Sequence, residues 1–425
     1  MSKVIMIGCD LHDAWMRLRI AVGAEKAVAK SFATADAAAL IAWVKEFAAL
    51  QGATKIVFAY EASGQGFGLY DTLTDAGIEC YVLAPTHLPH TAHGRKRKTD
   101  DNDAQMILDE IRAHVLAGRK LPAVWVPDPQ TRDDREAVRM RLEIGEQRTR
   151  IKNQIRNLAK RCKLTWPVWF TKSGNWSRRS LQWLRSVAAG EGQQVGRGIQ
   201  VTLQTLLDLY QELSRQLGVL DQAVAKLACT PRYAREFARL RLLPGVGTLT
   251  AMVFLTELGD LARFANRRQL AAYLGLIPAA YESGQRDDRK GHITRQGPAR
   301  VRHLLCQAAW AAQRVCARWK DRYEQLKRGS QKRAKIAIVA LMRLLAIQMW
   351  HTARCQKLEE LRDAAGPPET SARARQKGLA GVPETQKLEI QVLSNGLSTT
   401  QPASPLPTAS GRRDRSAPGT TRRKV

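Results

Sequence analysis

Two short apolar runs near the start of the chain constrain the fold most, because each of them ends at an acidic residue. Residues 4–9 lead into Asp10, and residues 56–60 lead into Glu61. Uninterrupted apolar runs of this length are typical of strands that are buried within a sheet. Both acids therefore fall at the carboxyl ends of predicted strands, where a sheet holds side chains rigidly and the following loops leave them accessible.

The residues around these runs predict the rest of a mixed sheet. Residues 16–22 alternate apolar side chains with arginine and alanine, which is the period-two pattern of a half-buried strand. A third strand is predicted near residues 27–32, and a helix that ends near Leu50 follows it. Another helix near residues 66–76 leads to a strand at residues 80–83. Three strands in a meander, followed by alternating strands and helices, indicate an α/β domain with a mixed sheet.

The chain becomes mainly helical after about residue 119. Residues 133–160 predict a long basic helix, and a later helix carries apolar residues at alternating steps of three and four. This series indicates a coiled-coil seam, although a helix packed within its own domain gives the same pattern. Self-association through the seam, as a dimer or tetramer, is therefore a prediction. The seam consists of Leu203, Leu206, Tyr210, Leu213, Leu217, Leu220 and Val224.

The composition divides the chain into four predicted segments. Residues 1–118 form the α/β domain, residues 119–232 the helical coiled-coil region, and residues 233–365 a second helical domain. Residues 366–425 are rich in Pro, Ser, Thr and Gly and are predicted to be disordered. In the second helical domain, the turn Pro-Gly-Val-Gly resembles a helix-hairpin-helix, in which Gly245 and Gly247 would expose backbone N–H groups to a phosphate.

The charge of the chain predicts a polyanionic partner. Lys and Arg number 68 against 39 Asp and Glu, which gives a net charge of +29. Such an excess favours nucleic acid first and an anionic membrane surface second. No apolar run approaches the roughly 20 residues that span a bilayer, and the first residues lack a signal-peptide pattern, so we expect a cytoplasmic protein without a membrane partner. The seven cysteines form no CxxC pair, which argues against a zinc ribbon and a disulfide framework.

A second pair of acids, Asp100 and Asp103, opens a predicted helix. Their spacing places both on one face of its first turn, where Thr99 is a plausible cap and the helix dipole also favours acids. They are therefore either capping acids or ligands. Together with Asp10 and Glu61 they form the oxygen-ligand set that Mg²⁺ prefers, and two such ions can clamp a phosphodiester. The basic residues that precede the pair would hold the strand backbone: Arg95, Lys96, Arg97 and Lys98.

The motifs around these acids resemble those of a known family. The segments GCDLHDAW, FAYEASGQGFGLYDTL and RKRKTDDNDAQMI are similar to the successive motifs of the RuvC-like, ribonuclease H-like DEDD domain of insertion-sequence 110 / 1111 transposases. The segment that begins LRLLPGVGTLTAMVFLTELGDL is similar to the carboxy-terminal transposase domain of that family. The resemblance extends over roughly residues 3–350.

The resemblance assigns roles to individual residues. Asp10, Glu61, Asp100 and Asp103 map onto the DEDD set, whereas Asp101 lies between matched positions and should point elsewhere. The family also places a catalytic serine in the second domain, where this chain reads YESGQR, with Glu282 at the position of a first serine. The resemblance therefore assigns the nucleophile to Ser283. Cations that follow it would stabilise the charge on a phosphodiester: Arg286, Arg289, Lys290 and Arg295.

The resemblance implies a transposase or site-specific recombinase that cuts and rejoins DNA with two Mg²⁺ ions and a serine nucleophile. It further implies a guide RNA encoded by the mobile element, a homo-oligomer, and a bridge-RNA-guided class of recombination. Two other functions fit the residues alone. One is a junction-resolving endonuclease that uses metal-activated water, and the other is a non-catalytic nucleic-acid-binding scaffold with structural acids.

Overall fold

The computed structural model describes residues 3–88, 99–169, 176–191, 193–280 and 290–355. The chain divides into two compact units, residues 1–132 and residues 133–425, which are described in turn. The division into four segments remains a prediction, and residues 366–425 lie outside the described part of the chain.

The first unit is built on a five-stranded mixed sheet. Its strands are β1 Lys3–Leu11, β2 Trp15–Val22, β3 Val28–Ala33, β4 Ala53–Glu61 and β5 Glu79–Leu83, and their order in the sheet is β3-β2-β1-β4-β5. The first three strands form an antiparallel meander, and β1–β4 and β4–β5 are parallel pairs. The predicted mixed sheet is therefore confirmed.

Three helices cover the sheet: α1 Ala37–Gln51, α2 Gly68–Asp75 and α3 Asp100–Ala117. Successive side chains of a strand point to opposite faces, so each strand contributes to two cores. On one face Ile5, Ile7, Leu18, Phe58 and Tyr60 pack with Leu40 and Val44 of α1. On the other face Met6, Ala21, Val57 and Ala59 pack with Ile107, Leu108 and Ile111 of α3. The second face is the one on which the even-numbered residues of β1, including Asp10, lie.

The second unit contains two long helices that run antiparallel to each other, α4 Pro129–Arg161 and α6 Arg197–Ala228, with the shorter α5 Arg178–Ala188 between them. The first four residues of α4 precede the division between the units. Arg141 donates hydrogen bonds to the carboxylate of Asp221, while Lys152, eleven residues later, lies over the ring of Tyr210. The last turns of α4 and the first turns of α6 pack with α5 in one core. This core contains Ile155, Leu158, Leu203 and Leu207. The two long helices thus form a hairpin within the chain.

The predicted coiled-coil seam is accordingly packed inside its own unit over much of its length. Leu203, Tyr210, Leu217 and Val224 are buried. Three seam leucines remain partly exposed: Leu206, Leu213 and Leu220. A coiled coil between copies of the chain remains a prediction.

The rest of the second unit is a helical core with one small antiparallel ribbon, β6 Pro278–Ala280 and β7 Lys290–Ile293, which the sequence analysis did not predict. The remaining helices are α7 Ala234–Leu240, α8 Thr248–Leu258, α9 Arg267–Tyr273, α10 Ala299–Val315, α11 Ala317–Lys327 and α12 Ala334–Ala353. Their apolar side chains form one continuous core.

Among the described residues, one segment, Gln331–Ala353, is long and apolar enough to cross a membrane by length and composition. It contains α12, and more than half of it is buried within the protein. Leu341, Leu345 and Met349 of this helix belong to the core of the second unit. A helix that is buried in a protein core is often equally long and equally apolar.

Candidate metal centre

The register of the sheet places Asp10 and Glu61 side by side. The parallel pair β1–β4 aligns Gly8 with Ala59 and Cys9 with Tyr60, so the next residues along the two strands are Asp10 and Glu61. Neighbouring strands lie about 4.8 Å apart, and paired residues point to the same face. Both carboxylates therefore occupy one edge of the sheet on the face that α3 covers. The Asp10 side chain is only 15% exposed there.

The helix α3 brings the second acidic pair to the same face. Its first turn contains Asp100 and Asp103, and the side chain of Thr99 caps the helix by accepting a hydrogen bond from the Asn102 N–H. Since Thr99 already caps the helix, the acids are not needed for that purpose. The amino end of a helix also favours negative charge, so the cost of placing acids there is reduced.

Two predicted carboxylates meet at a histidine that the sequence analysis did not select. His12 Nε2 lies 3.0 Å from Asp10 Oδ2 and 3.4 Å from Asp100 Oδ1. One ligand atom from each of the three residues lies within 4.8 Å of the others. In the sequence, His12 is marked only by its position two residues after Asp10. Its contact with Asp100 depends on the turn that follows β1, which a local sequence pattern does not reveal.

Burial and the neighbouring His12 shift the pKa of Asp10 in opposite directions. Burial raises the pKa of Asp10 above its ordinary value; His12 lowers it, and the negative charges of Asp103 and Asp100 raise it further. Asp103 is thus electrostatically coupled to Asp10. A divalent cation would offset both the cost of burying the Asp10 charge and its repulsion by Asp103 and Asp100. The carboxylate oxygens suit Mg²⁺ or Mn²⁺, whereas the imidazole nitrogen of His12 is a weaker ligand for these ions.

A close backbone contact holds α3 against the sheet. A Cβ atom on Gly8 would lie 2.4 Å from the Ala104 carbonyl oxygen and 2.4 Å from the Leu108 nitrogen. Only glycine permits this approach, because any side chain would collide with backbone atoms. The contact involves Ala104, which directly follows Asp103 on α3, and Leu108 one turn later, and it lies two residues before Asp10 on β1. It therefore fixes the separation of the two acidic groups.

Asp101 is bound by arginines of β2 and does not belong to the group formed by Asp10, His12 and Asp100. Arg17 of β2 donates two hydrogen bonds to its carboxylate, at 2.5 and 3.1 Å, and Arg19 lies 3.5 Å from it. The hydrogen bond from Arg17 lowers the pKa of Asp101 below its ordinary value. Arg17 also donates to Ser31 of β3. The first turn of α3 is thereby tied to two strands of the sheet.

Several predicted residues lie outside the described part of the chain. These are the cations Arg95, Lys96, Arg97 and Lys98, the serine Ser283 with Glu282, and the cations Arg286 and Arg289; of Lys290 only the backbone, in β7, is described.

The turn that the sequence predicts to bind a phosphate contains two glycines, which differ in their surroundings. Gly245 has a φ of +79°, and a Cβ atom there would lie 2.3 Å from the Ala308 carbonyl oxygen of α10. It is therefore required for packing between the turn and α10. Gly247 immediately precedes α8, and its nearest neighbour to such an atom is an Arg241 nitrogen at 3.9 Å. Arg295 adopts a φ of +56° at the end of the ribbon, where its N–H donates to the Gly275 carbonyl.

Two family models match the chain. A transposase family defined by the DEDD domain of insertion sequence IS110 matches residues 7–163, and the transposase IS116/IS110/IS902 family matches residues 238–324. The first match contains Asp10, Glu61, Asp100 and Asp103, and the second contains Ser283.

Among individual proteins, the chain is similar to the transposase y4qE of Sinorhizobium fredii, with 30% identity over 71% of this chain and 70% of that protein. It is also similar to the transposase of insertion sequence element IS1111A from Coxiella burnetii, with 27% identity over 59% of this chain and 64% of that protein. The pilin gene-inverting protein of Moraxella bovis is 30% identical over 31% of this chain and 41% of its own length.

Proposed function

The chain belongs to the IS110 family of transposases and is an enzyme that cuts and rejoins DNA, and we propose that Asp10, Glu61, Asp100 and Asp103 bind the divalent metal ions of this reaction. DEDD domains generally use divalent metals, and we propose Mg²⁺, in two sites, because all four predicted ligands are hard oxygen donors.

The main support for the proposal is that both Asp10 and Asp100 contact His12. These residues come from a strand end and a helix start 90 positions apart, yet their ligand atoms lie within 4.8 Å of one another. An acid that merely caps α3 would have no reason to face a half-buried carboxylate, since like charges at this range destabilise each other.

Each residue of the proposed centre has its own role. Asp10 and Asp100 would hold a divalent ion together, with His12 as a further ligand or as a donor that orients Asp10. Glu61, beside Asp10 on the neighbouring strand, and Asp103 would supply the remaining carboxylates. When bound, the ions supply positive charge that stabilises the phosphodiester as it is displaced. Arg17 and Asp101 keep α3 in place.

We further propose that Ser283 is the nucleophile. Its hydroxyl oxygen forms a bond to phosphorus while one bridging P–O bond of the DNA breaks; the serine proton goes to a base or to solvent, and the leaving oxygen becomes a hydroxyl. The phosphoserine link retains the energy of the phosphodiester, so the reverse attack by a DNA hydroxyl rejoins the strand. The resemblance of YESGQR to the family motif supports this assignment, as do the nearby cations Arg286, Arg289, Lys290 and Arg295.

The serine proposal is tested by trapping the covalent intermediate. End-labelled DNA that spans the junction between element and flank is incubated with the protein, and labelled protein is measured on a denaturing gel. We expect Ser283→Ala to abolish the adduct and Ser330→Ala to retain it. Glu282→Ser tests whether a serine at the other position of the motif takes over in the Ser283→Ala background.

A junction-resolving nuclease that uses metal-activated water remains the second candidate for the chemistry. The same four carboxylates support it, because a two-metal site can activate water as readily as a hydroxyl. It predicts that Ser283→Ala keeps cutting DNA at the wild-type rate and that no labelled adduct forms in either protein. An adduct that survives Ser283→Ala would instead exclude Ser283 as the nucleophile.

DNA is the substrate of the family, and we propose two additional partners. A guide RNA is supported by the resemblance and by the net charge of +29; a homo-oligomer is supported by the need of recombination for several active sites. Purification with and without ribonuclease, followed by light scattering and recovery of bound RNA, tests both. Gly247 at the start of α8 and Arg295 are proposed phosphate contacts in the second unit.

A further inference from the structure

Trp15 is a large aromatic side chain that the fold leaves in solvent. It is 63% exposed, although it is the first residue of a strand in the central part of the sheet. In the same unit, Trp43 is instead packed: its ring is stacked on Phe47 at 5.2 Å and lies 5.8 Å from Phe32. An exposed tryptophan adds nothing to the core, so its position relative to the metal centre is informative.

Trp15 lies at the same edge of the sheet as the carboxylates. The strand β1 ends beyond Asp10 and β2 begins at Trp15, with the turn between them closed by a hydrogen bond from the His12 N–H to the Trp15 carbonyl at 2.8 Å. Thr34 fixes this turn further, because its hydroxyl donates to the His12 carbonyl and its N–H donates to the Ala14 carbonyl. The backbone of Trp15 is therefore held in place.

Trp15 also points to the same face as the carboxylates. Side chains alternate along a strand, so Trp15 shares its face with Arg17, which contacts Asp101 of α3. Asp10 pairs with Arg17, which makes Trp15 a diagonal neighbour of Asp10, at a typical separation of about 7–8 Å. On its other side Trp15 pairs with Ala33, whose small side chain leaves the ring uncovered.

We propose that Trp15 is a stacking platform for one unpaired nucleobase of the DNA strand whose phosphate lies at the carboxylate centre. This inference rests on the proposed function and adds a base-binding subsite to it. The carboxylates would hold metal ions that contact only the phosphate, so they would not hold the nucleotide in one orientation. An indole ring beside them binds the face of any base and thereby fixes the sugar and phosphate that carry it.

The chemistry of stacking selects the class of ligand. Every base has a π-face, so Trp15 does not discriminate between sequences, but it requires that the base be out of the duplex. The subsite is therefore specific for a single strand, or for a duplex opened at the cleavage position. A double-stranded substrate whose bases remain paired would not reach it.

The experiment compares oligonucleotides that lack one base at a time. Single-stranded DNA with an abasic residue at each successive position is titrated against the full chain in Ca²⁺, which carboxylates also bind, and affinity is measured by fluorescence anisotropy. For the wild type, one position near the cut should lower affinity by about tenfold, within the range found for base–aromatic stacking.

The variants separate stacking from simple loss of apolar surface. Trp15→Phe should keep the position-specific loss, whereas Trp15→Ala and Trp15→Leu should bind the intact oligonucleotide about tenfold more weakly and show no further loss at that position. Trp310→Ala removes a tryptophan that is 38% exposed in the second unit and should leave the profile unchanged. A wild-type profile with equal affinity at every position would overturn the proposal, as would a Trp15→Leu profile identical to the wild type.

A second measurement needs no substitution. DNA carrying 5-iodouracil at the sensitive position is irradiated with the wild-type protein, and the crosslinked peptide is identified by mass spectrometry. A crosslink at Trp15 supports the subsite, and a crosslink confined to other residues contradicts it.

If Asp10→Asn abolishes cleavage while the abasic profile is flat, the metal centre stands and the stacking platform is wrong. If Asp10→Asn cuts normally while the profile is position-specific, the metal centre is wrong.

Discussion

Arg17 and Asp101 join the second strand of the sheet to the first turn of α3, through two hydrogen bonds at 2.5 and 3.1 Å between residues that are 84 positions apart. The acid that does not face the cluster thus fixes the helix that carries Asp100 and Asp103. Both side chains are about one-third exposed, so the ion pair is partly screened by water.

We predict that Asp101→Asn weakens metal binding without removing a ligand. Loss of the bidentate pair should lower the free energy of unfolding by roughly 0.5–1 kcal/mol, since both groups are partly exposed. The first turn of α3 should then become less ordered, and Mg²⁺ affinity in calorimetry should fall several-fold. Arg17→Ala should change both quantities in the same direction, and the double variant should lose less than the sum of the two single losses.

The matched control for this pair is Asp109→Asn on the same helix. Asp109 lies 3.7 Å from Arg112, is mostly exposed and is remote from the first turn. We expect neither stability nor Mg²⁺ affinity to change by more than experimental error. Equal losses of Mg²⁺ affinity in Asp101→Asn and Asp109→Asn would show that general charge, not the position of α3, controls the site.

We predict that Gly8→Ala destabilises the protein by about 2–3 kcal/mol, the upper part of the range of roughly 1–3 kcal/mol found for overpacking. The added methyl group would lie 2.4 Å from two backbone atoms of α3, so the helix must move away from β1. Ordinarily alanine in a strand is better than glycine, so the sign of the effect is set by this contact. Urea denaturation measures it, and Gly68→Ala, which meets no atom within 4 Å, is the control.

The ion pair between Arg139 and Glu257 predicts a pH dependence of stability in the second unit. Arg139 of α4 donates two hydrogen bonds, at 2.8 and 2.9 Å, to the Glu257 carboxylate, which is only 8% exposed. Burial raises the pKa of Glu257, but the bonds from Arg139 and the charges of Arg139 and Arg135 lower it below its ordinary value.

Because the pKa of Glu257 is lower in the folded protein than in the unfolded chain, its stabilisation is complete above the ordinary value of about 4.3 and is lost as the pH falls through the folded value. At pH 7, Glu257→Ala should lower the free energy of unfolding by about 3 kcal/mol. This difference from wild type should narrow below pH 4 in denaturation curves. Glu136→Gln, on an exposed side chain 3.7 Å from Arg139, should change stability by under about 0.5 kcal/mol at either pH. A constant Glu257 effect from pH 7 to pH 3 would contradict the assignment.

Local sequence patterns predicted the sheet well, because its strands carry their own signals. The runs before Asp10 and Glu61 and the alternation in residues 16–22 correspond to β1, β4 and β2. The ribbon β6–β7 was missed because strands of three and four residues are too short to show a period. The apolar stripe of α6 was visible, but its partners were not, since a stripe that packs against α4 has the same spacing as one that packs against another copy.

The location of the four acids in the fold, as distinct from their proposed role, was predictable from the local sequence. The apolar runs placed Asp10 and Glu61 at the ends of two strands. Helical spacing placed Asp100 and Asp103 on one face of the first turn of a helix. His12 was missed because its approach to Asp10 and Asp100 depends on a turn closed by Trp15 and Thr34. The role of Asp101 was missed for a related reason: its partner Arg17 is distant in sequence, and nothing local distinguishes it from a solvent-exposed arginine.

The most direct test of the metal centre is calorimetric titration of Mg²⁺ and Mn²⁺ into the wild type and into Asp10→Asn, Glu61→Gln, Asp100→Asn and Asp103→Asn, with strand cleavage measured on the same preparations. We predict that each of the four substitutions weakens metal binding at least tenfold and abolishes cleavage, whereas Asp109→Asn retains both. Wild-type metal affinity together with wild-type cleavage in the Asp10→Asn protein would contradict the proposed centre.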